Sequence, residues 1–197
     1  MSAPAHHDAV VARHGETEWS RNGRHTGRTD VPLTDKGRKD AENIGPALAQ
    51  WDFALVLTSP LQRARETCRL AGLGDVAEID DDLLEWNYGD YEGLTTPQIR
   101  EDDPDWLIWT GHTPGGETPD EVATRVDRVI ERVLAADGPV ALFAHGHVLR
   151  VLMARWLGLG PADGRLLTLA TGTLSVLGWE HEYRVVRSLN EGLYRTS

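Results

Sequence analysis

Three unbroken apolar runs divide the chain: Ala9-Val10-Val11-Ala12, Ala54-Leu55-Val56-Leu57 and Val140-Ala141-Leu142-Phe143-Ala144. Runs of four or five apolar residues closed by Gly or Pro read as strands buried on both faces. Between them the apolar period lengthens. Ala41, Ile44, Leu48 and Trp51 recur at helical spacing after Thr34. Val122, Val126, Val129, Ile130, Val133 and Leu134 do so after Thr118-Pro119-Asp120-Glu121, a capping box with Pro where a helix tolerates it. Ser59-Pro60 reads as a helix start with Ser as cap, and Gly146 to Leu157 as a further apolar helix. Strands alternating with helices predict a mostly parallel sheet. Thr173–Trp179 and Tyr183–Leu189 lie too close for a crossover and predict an antiparallel hairpin turning on Glu180-His181-Glu182. Residues 83–117, rich in Trp, Gly, Pro and acids, predict an irregular insertion over a pocket. With no linker in sight, residues 1–197 read as a single domain.

The residues ending the three strands carry the chemistry. The first run delivers Arg13 and His14, the second Thr58-Ser59-Pro60 followed by Arg63, the third His145-Gly146-His147. Open α/β sheets bind ligands at the carboxyl ends of their strands. An imidazole beside a permanent cation is poorly placed as an acid and well placed to attack an anion, phosphate above all. Net charge is −11, from 20 Lys and Arg against 31 Asp and Glu. Nucleic acid and anionic membranes are therefore poor general partners, and an anionic substrate needs a local basic pocket. The single cysteine, Cys68, excludes an internal disulfide and Cys-rich zinc frameworks, and reads as a small buried side chain in a helix. Met1–Asp8 lacks the features of a signal peptide, and no run reaches the ~20 apolar residues of a membrane span. The cytoplasm is the expected compartment. His145 and His147 have metal-like spacing but no accompanying ligands, so no metal site is expected; His147 reads as a first-turn helix residue, and His181 stays unassigned.

The ordered set Arg13-His14-Gly15-Glu16-Thr17, Thr26-Gly27 before Pro32-Leu33-Thr34, Ser59-Pro60 with Arg63, Glu85 with Tyr88-Gly89, and His145-Gly146 resembles the histidine phosphatase superfamily, also called phosphoglycerate mutase-like. The resemblance implies a three-layer α/β/α sandwich with a mostly parallel central sheet and the C-terminal antiparallel hairpin. It implies metal-independent, cofactor-free hydrolysis of small phosphorylated metabolites through a phosphohistidine. His14 would be the nucleophile, with Arg13, Arg63 and a protonated His145 supplying positive charge. Glu85 would protonate the leaving oxygen and then activate water. Its aromatic neighbours are expected to keep it out of water, where a carboxyl group retains its proton. Thr26 and Gly27, through backbone amides, and Tyr88, Gly146 and Arg150 would contact substrate, Arg150 reaching a second anionic group. Arg65 is expected to point away from Arg63.

Two departures matter. Ser20 follows Trp19 where the family usually has Asn, with Asn22 two residues on; and Glu101–Gly116 holds no arginine, whereas mutases carry a pair there. With a short C-terminal tail as well, hydrolysis is favoured over phosphoryl transfer back to substrate. The run from Glu85 to Gly93, with Trp109, Gly115-Gly116-Glu117 and His145-Gly146-His147, is similar to bacterial acid phosphatases and to the sedoheptulose- and fructose-bisphosphatase branch. A sugar bisphosphatase, a mutase and a non-enzymatic phosphoester-binding module stand as alternatives. The apolar terminal strand is a candidate homodimer contact.

Overall fold

A computed structural model describes residues 6–192, so the reading of the leader through Ala5 lies outside the described residues. Along β1 (Ala9–Arg13), Ala9 and Val11 face one core and Val10 and Ala12 the other. The same alternation holds in β4 (Val140–Ala144), where Val140, Leu142 and Ala144 oppose Ala141 and Phe143. Both faces are covered, which is why these strands are apolar throughout. On one side lie α5 (Pro119–Ala135) and α6 (Gly146–Trp156); on the other lie α2 (Asp35–Leu48) and α3 (Gln62–Leu70). The fold is the expected α/β/α sandwich.

β2 (Leu55–Thr58), β4 and β1 run parallel, with the two-residue β3 (Glu78–Ile79) parallel at one edge. β5 (Leu174–Glu180) pairs antiparallel with β1, and β6 (Tyr183–Glu191) with β5, giving the order β3-β2-β4-β1-β5-β6. Among the described residues, no helix is long and apolar enough to cross a membrane.

Several boundaries differ from the sequence reading. α2 ends at Leu48, leaving Trp51 beyond it, and Leu134 is half-exposed rather than on the buried face of α5. α3 starts at Gln62 behind Leu61, which has no side-chain cap, and the Ser59 hydroxyl, read as the cap, accepts the Leu61 N–H at 3.4 Å while also meeting His145. The insertion is not wholly irregular: α4 (Thr96–Asp102) opens on a Thr95/Gln98 capping box. β3 and α1 (Glu18–Arg21) are too short to have shown a period.

Candidate active site

Register brings three strand ends to one rim. Arg13 sits opposite Ala144 and Thr58 opposite Phe143, so His14, Ser59 and His145 emerge side by side. The His14 and His145 rings lie 5.1 Å apart, centre to centre. The turn after His14 is pinned by a glycine pair. A Cβ on Gly15 would stand 2.2 Å from the Gly37 carbonyl oxygen, and one on Gly37 would stand 2.1 Å from that of Glu16. Only glycine permits that approach, and the Thr67 hydroxyl accepts the Gly15 N–H at 3.0 Å.

Hydrogen bonding fixes the His14 tautomer. Nδ1 lies 2.7 Å from the Gly15 carbonyl oxygen, which can only accept, so Nδ1 carries the proton and Nε2 is left with a lone pair. Burial, then the charges of Arg63 and Arg13, hold this imidazole well below the ordinary histidine range, against a weaker pull from the Gly15 bond. His14 is therefore a neutral base with its free nitrogen available to an electrophile.

His145 corrects an expectation. Its Nδ1 accepts the Arg63 Nε–H at 3.0 Å, and its Nε2 lies 2.7 Å from Ser59 Oγ. Guanidinium cannot accept, so the proton sits on Nε2 and the ring is neutral. Burial first, and then Arg63, depress its pKa far below the usual value. A protonated His145 does not exist in this arrangement. Arg63 is fully buried, and its Nη1 and Nη2 donate to the carbonyls of Thr29, Thr26 and Gly27 at 2.9, 3.1 and 2.9 Å. One Nη1 hydrogen remains uncommitted. Arg63 thus holds the 26–29 loop as much as it faces an anion. Arg65 is exposed on α3, turned away from it as expected.

Glu85 is 4 % exposed. Desolvation by aromatics was the expectation, and burial is found, but the carboxyl also docks on the first turn of α6. Oε1 accepts the N–H of Trp86 and of Val148 at 2.9 and 2.8 Å, and Oε2 accepts that of His147 at 3.0 Å. The bonds from His147 and Val148 satisfy amides that the start of α6 leaves open. With two donors on Oε1 and one on Oε2, the position left for a proton is on Oε2.

Arg13, His14, Thr26, Glu85, Tyr88, Gly146 and Arg150 line one cleft of about 170 Å³. Arg63, His145 and Gly27 stand behind it. The Gly27 amide, expected to meet a ligand, donates instead to Glu92 Oε1 at 2.8 Å. Glycine is required there because a Cβ would fall 2.5 Å from the Trp86 carbonyl oxygen. A Cβ on Gly146 would press to 3.2 Å on the Arg13 guanidinium, so that residue keeps space for a side chain rather than binding through its own. Arg13 reaches the Leu169 carbonyl through Nη1, while its buried Nε has no partner. Arg150 donates Nε–H to the Gly164 carbonyl at 3.0 Å and stacks 4.4 Å from the Trp109 ring centre. Among the described residues, none of Arg13, Arg24, Arg63 and Arg150 has a carboxylate partner within 4.0 Å. Arg63 is buried and Arg13 and Arg150 are half-buried, whereas Arg24 is exposed; sheltered cations without counterions favour an arriving anion.

Three cleft residues escaped the sequence reading. Arg24 sits over Trp19 at the mouth. His25 packs on Tyr88 and Trp106, and His147 bonds the Tyr88 hydroxyl through Nδ1. Burial holds His147 well below the ordinary range and takes His25 down to about 4. His147 is in the first helical turn, as read, but its ring faces the cleft. Its place beside His145-Gly146 was the one available signal. Ser20 also lines the cleft, closing a capping box with Thr17, whereas Asn22 bonds Glu18. Larger hollows near α3 (420 Å³) and near α2 (580 Å³) hold no comparable pairing of nucleophile and acid. Among the described residues, no group of three or more His, Cys, Asp or Glu is placed to hold a metal ion. Cys68 is buried in α3, its thiol pushed up to about 12 by burial.

Comparison with known proteins agrees with this geometry. The family described as histidine phosphatase superfamily (branch 1) matches residues 9–192. An acid phosphatase of Mycobacterium tuberculosis is 44 % identical over 90 % of this chain and 89 % of its own length. A sedoheptulose 1,7-bisphosphatase of Saccharomyces cerevisiae is 36 % identical over 77 % of this chain and 68 % of its own. Among solved structures, one from a Mycobacterium tuberculosis open reading frame superposes with a TM-score of 0.89 at 43 % identity, covering 93 % of this chain and 97 % of that one. A mycobacterial glucosyl-3-phosphoglycerate phosphatase, solved in complex with VO3, has a TM-score of 0.83 at 30 % identity, covering 93 % and 98 %.

Proposed function

We propose, from the premise that this chain belongs to the histidine phosphatase superfamily, branch 1, and is a hydrolase of that family, that it cleaves small phosphomonoesters through a phosphohistidine on His14 without a metal ion. The observation that carries this reading is the His14 tautomer: Nδ1–H tied to the Gly15 carbonyl, Nε2 free and unprotonated, in a cleft with the unpaired Arg13 Nε. Nε2 attacks phosphorus as the P–O bond to the alcohol breaks. Arg13 faces the equatorial oxygens, and Arg63 adds its positive charge from behind the cleft. The Oε2 position of Glu85 delivers a proton to the departing oxygen, and the resulting carboxylate takes one from water as that water displaces His14. His145 acts through Arg63, holding its guanidinium while Ser59 holds His145. A cleft of about 170 Å³ is smaller than pockets that enclose drug-sized ligands, in keeping with a small metabolite.

The test is hydrolysis of p-nitrophenyl phosphate in EDTA. His14→Ala is expected to lose about 10³-fold or more in kcat, the scale seen when a covalent nucleophile is removed. Rapid acid quench of the parent should trap no phosphoenzyme and rapid alkaline quench should trap one, since phosphohistidine is acid-labile. Need of added metal, or full activity in His14→Ala, would overturn the mechanism.

A second reading, a sugar bisphosphatase, draws on Arg150 and Arg24, two cleft guanidinium groups beyond those facing the reacting phosphate. They give a second phosphate on the same substrate somewhere to bind. A kcat/KM for sedoheptulose 1,7-bisphosphate at least about tenfold above that for monophosphates, roughly one charge-assisted contact, would favour it. For a mutase, the absence of arginine from Glu101–Gly116 is the opposing observation.

A further inference from the structure

We infer that Arg125 and Glu117 are positioning residues for the Glu85 carboxyl, an inference that rests on the acid role proposed above. Arg125 lies on α5 and is buried. Its Nε and Nη2 donate to the two oxygens of Glu117 at 2.8 and 3.1 Å, and its Nη1 donates to the carbonyls of Asp82 and Leu84 at 2.7 and 2.6 Å. Glu117 extends the grip past Glu85. Its Oε2 accepts the Asn87 N–H at 2.8 Å, its carbonyl accepts the Trp86 indole N–H at 2.8 Å, and its own N–H donates to the Asn87 carbonyl at 2.9 Å. One ion pair therefore fastens the backbone at Leu84, immediately before Glu85, and at Asn87, two residues after it.

From the opposite side, the Glu85 carboxyl is seated on the α6 amides. α5 and α6 pack directly on each other, so the acid is clamped between two rigid helices. A buried ion pair is a poor means of stabilising a fold, since apolar residues of similar volume do as well or better. Fixing a short irregular segment that carries an acid is a task apolar packing performs badly. Carbonyl and amide groups can be oriented only by partners that hydrogen-bond them.

The consequence is a dependence on the leaving group. Glycerol 2-phosphate releases an alkoxide that departs only with a proton. The phenolate of 2,4-dinitrophenyl phosphate departs without one. Values of kcat/KM report the step that breaks this bond, and both substrates are assayed on the same sample, so the folded fraction cancels in their ratio. Arg125→Lys and Glu117→Gln are each expected to lose about 10²-fold on glycerol 2-phosphate, the scale of a 1 Å misplacement, and less than about threefold on the dinitrophenyl ester. Equal losses on both substrates, or no loss on either, would overturn the inference. Glu85→Gln separates the two levels of the argument. Its selective loss on glycerol 2-phosphate beside an even loss in Arg125→Lys rejects the positioning role alone, while an even loss in Glu85→Gln rejects the acid role and the inference with it. Should one of the paired variants be recovered unfolded, the other carries the test.

Discussion

His25 offers a measurement of how the cleft is built, because its ionisation is set by where it sits. The ring is packed against Tyr88 at 4.8 Å and Trp106 at 5.3 Å, with Nε2 3.1 Å from the Thr96 hydroxyl. Burial lowers its pKa from 6.5 to about 4, and Glu92 opposes the shift only in part. In the unfolded chain the ordinary value returns. The unfolded state therefore binds the extra proton first, and stability fully present above pH 6.5 is lost as pH falls toward 4, then changes no further on this account. Between those values each pH unit costs up to about 1.4 kcal/mol, so at pH 5 the loss from His25 alone is about 2 kcal/mol.

His25→Phe removes the titration and keeps an aromatic ring in place. At pH 7.5 the variant is expected to be about 1 kcal/mol less stable, for the lost hydrogen bond to Thr96. At pH 5 the order inverts, and the variant is about 1 kcal/mol more stable than the parent. Urea unfolding at the two pH values, read as the difference between variant and parent, cancels every group that both chains share. A difference that stays the same within about 0.5 kcal/mol from pH 7.5 to 5 would refute the burial argument.

Two further outcomes follow from the same geometry. Because burial and two arginines depress the His14 pKa well below 6.5, and the neutral form is the nucleophile, kcat/KM should lose no activity to a group titrating near 6.5 on the acid side; a limb with that midpoint, absent from the substrate's own titration, would contradict it. Gly37→Ala forces a methyl to within 2.1 Å of the Glu16 carbonyl oxygen and must displace the turn behind His14; an unfolding free energy lower by about 2 kcal/mol or more in urea denaturation is expected, and an unchanged one would contradict the packing.

The strand-end residues were legible because a buried parallel strand needs a run of apolar residues, and a polar pair closing that run has few structural uses. Arg13, His14 and His145 were found that way, and the capping box opening α5 by local chemistry alone. What eluded sequence was partnership. Ser59 carries the composition of a helix cap, yet it meets an imidazole 86 residues away. Arg63 reads as a phosphate ligand, yet most of its N–H groups hold loop carbonyls. The cleft-facing rings of His25 and His147 are set by the aromatic packing of the insertion, a non-local property with no period to betray it. Glu85 was legible as an acid by its motif, but not its seat on α6, which joins residues more than 60 positions apart.

The neutrality of the imidazoles decides how a chain of net charge −11 attracts an anion. His14, His145, His147 and His25 are all held in their uncharged forms by burial. Positive charge in and behind the cleft therefore comes from guanidinium groups, which titrate far above the physiological range. It follows that the positive part of the field met by a phosphoester is constant from mildly acidic to mildly alkaline pH. Imidazole is thereby freed for covalent chemistry: a protonated His14 would add to the attraction but could not attack. Separating the two tasks between residue types lets Arg13 stand beside His14 in sequence, each reinforcing the other, since the guanidinium that draws the substrate is also among the charges that keep the nucleophile unprotonated.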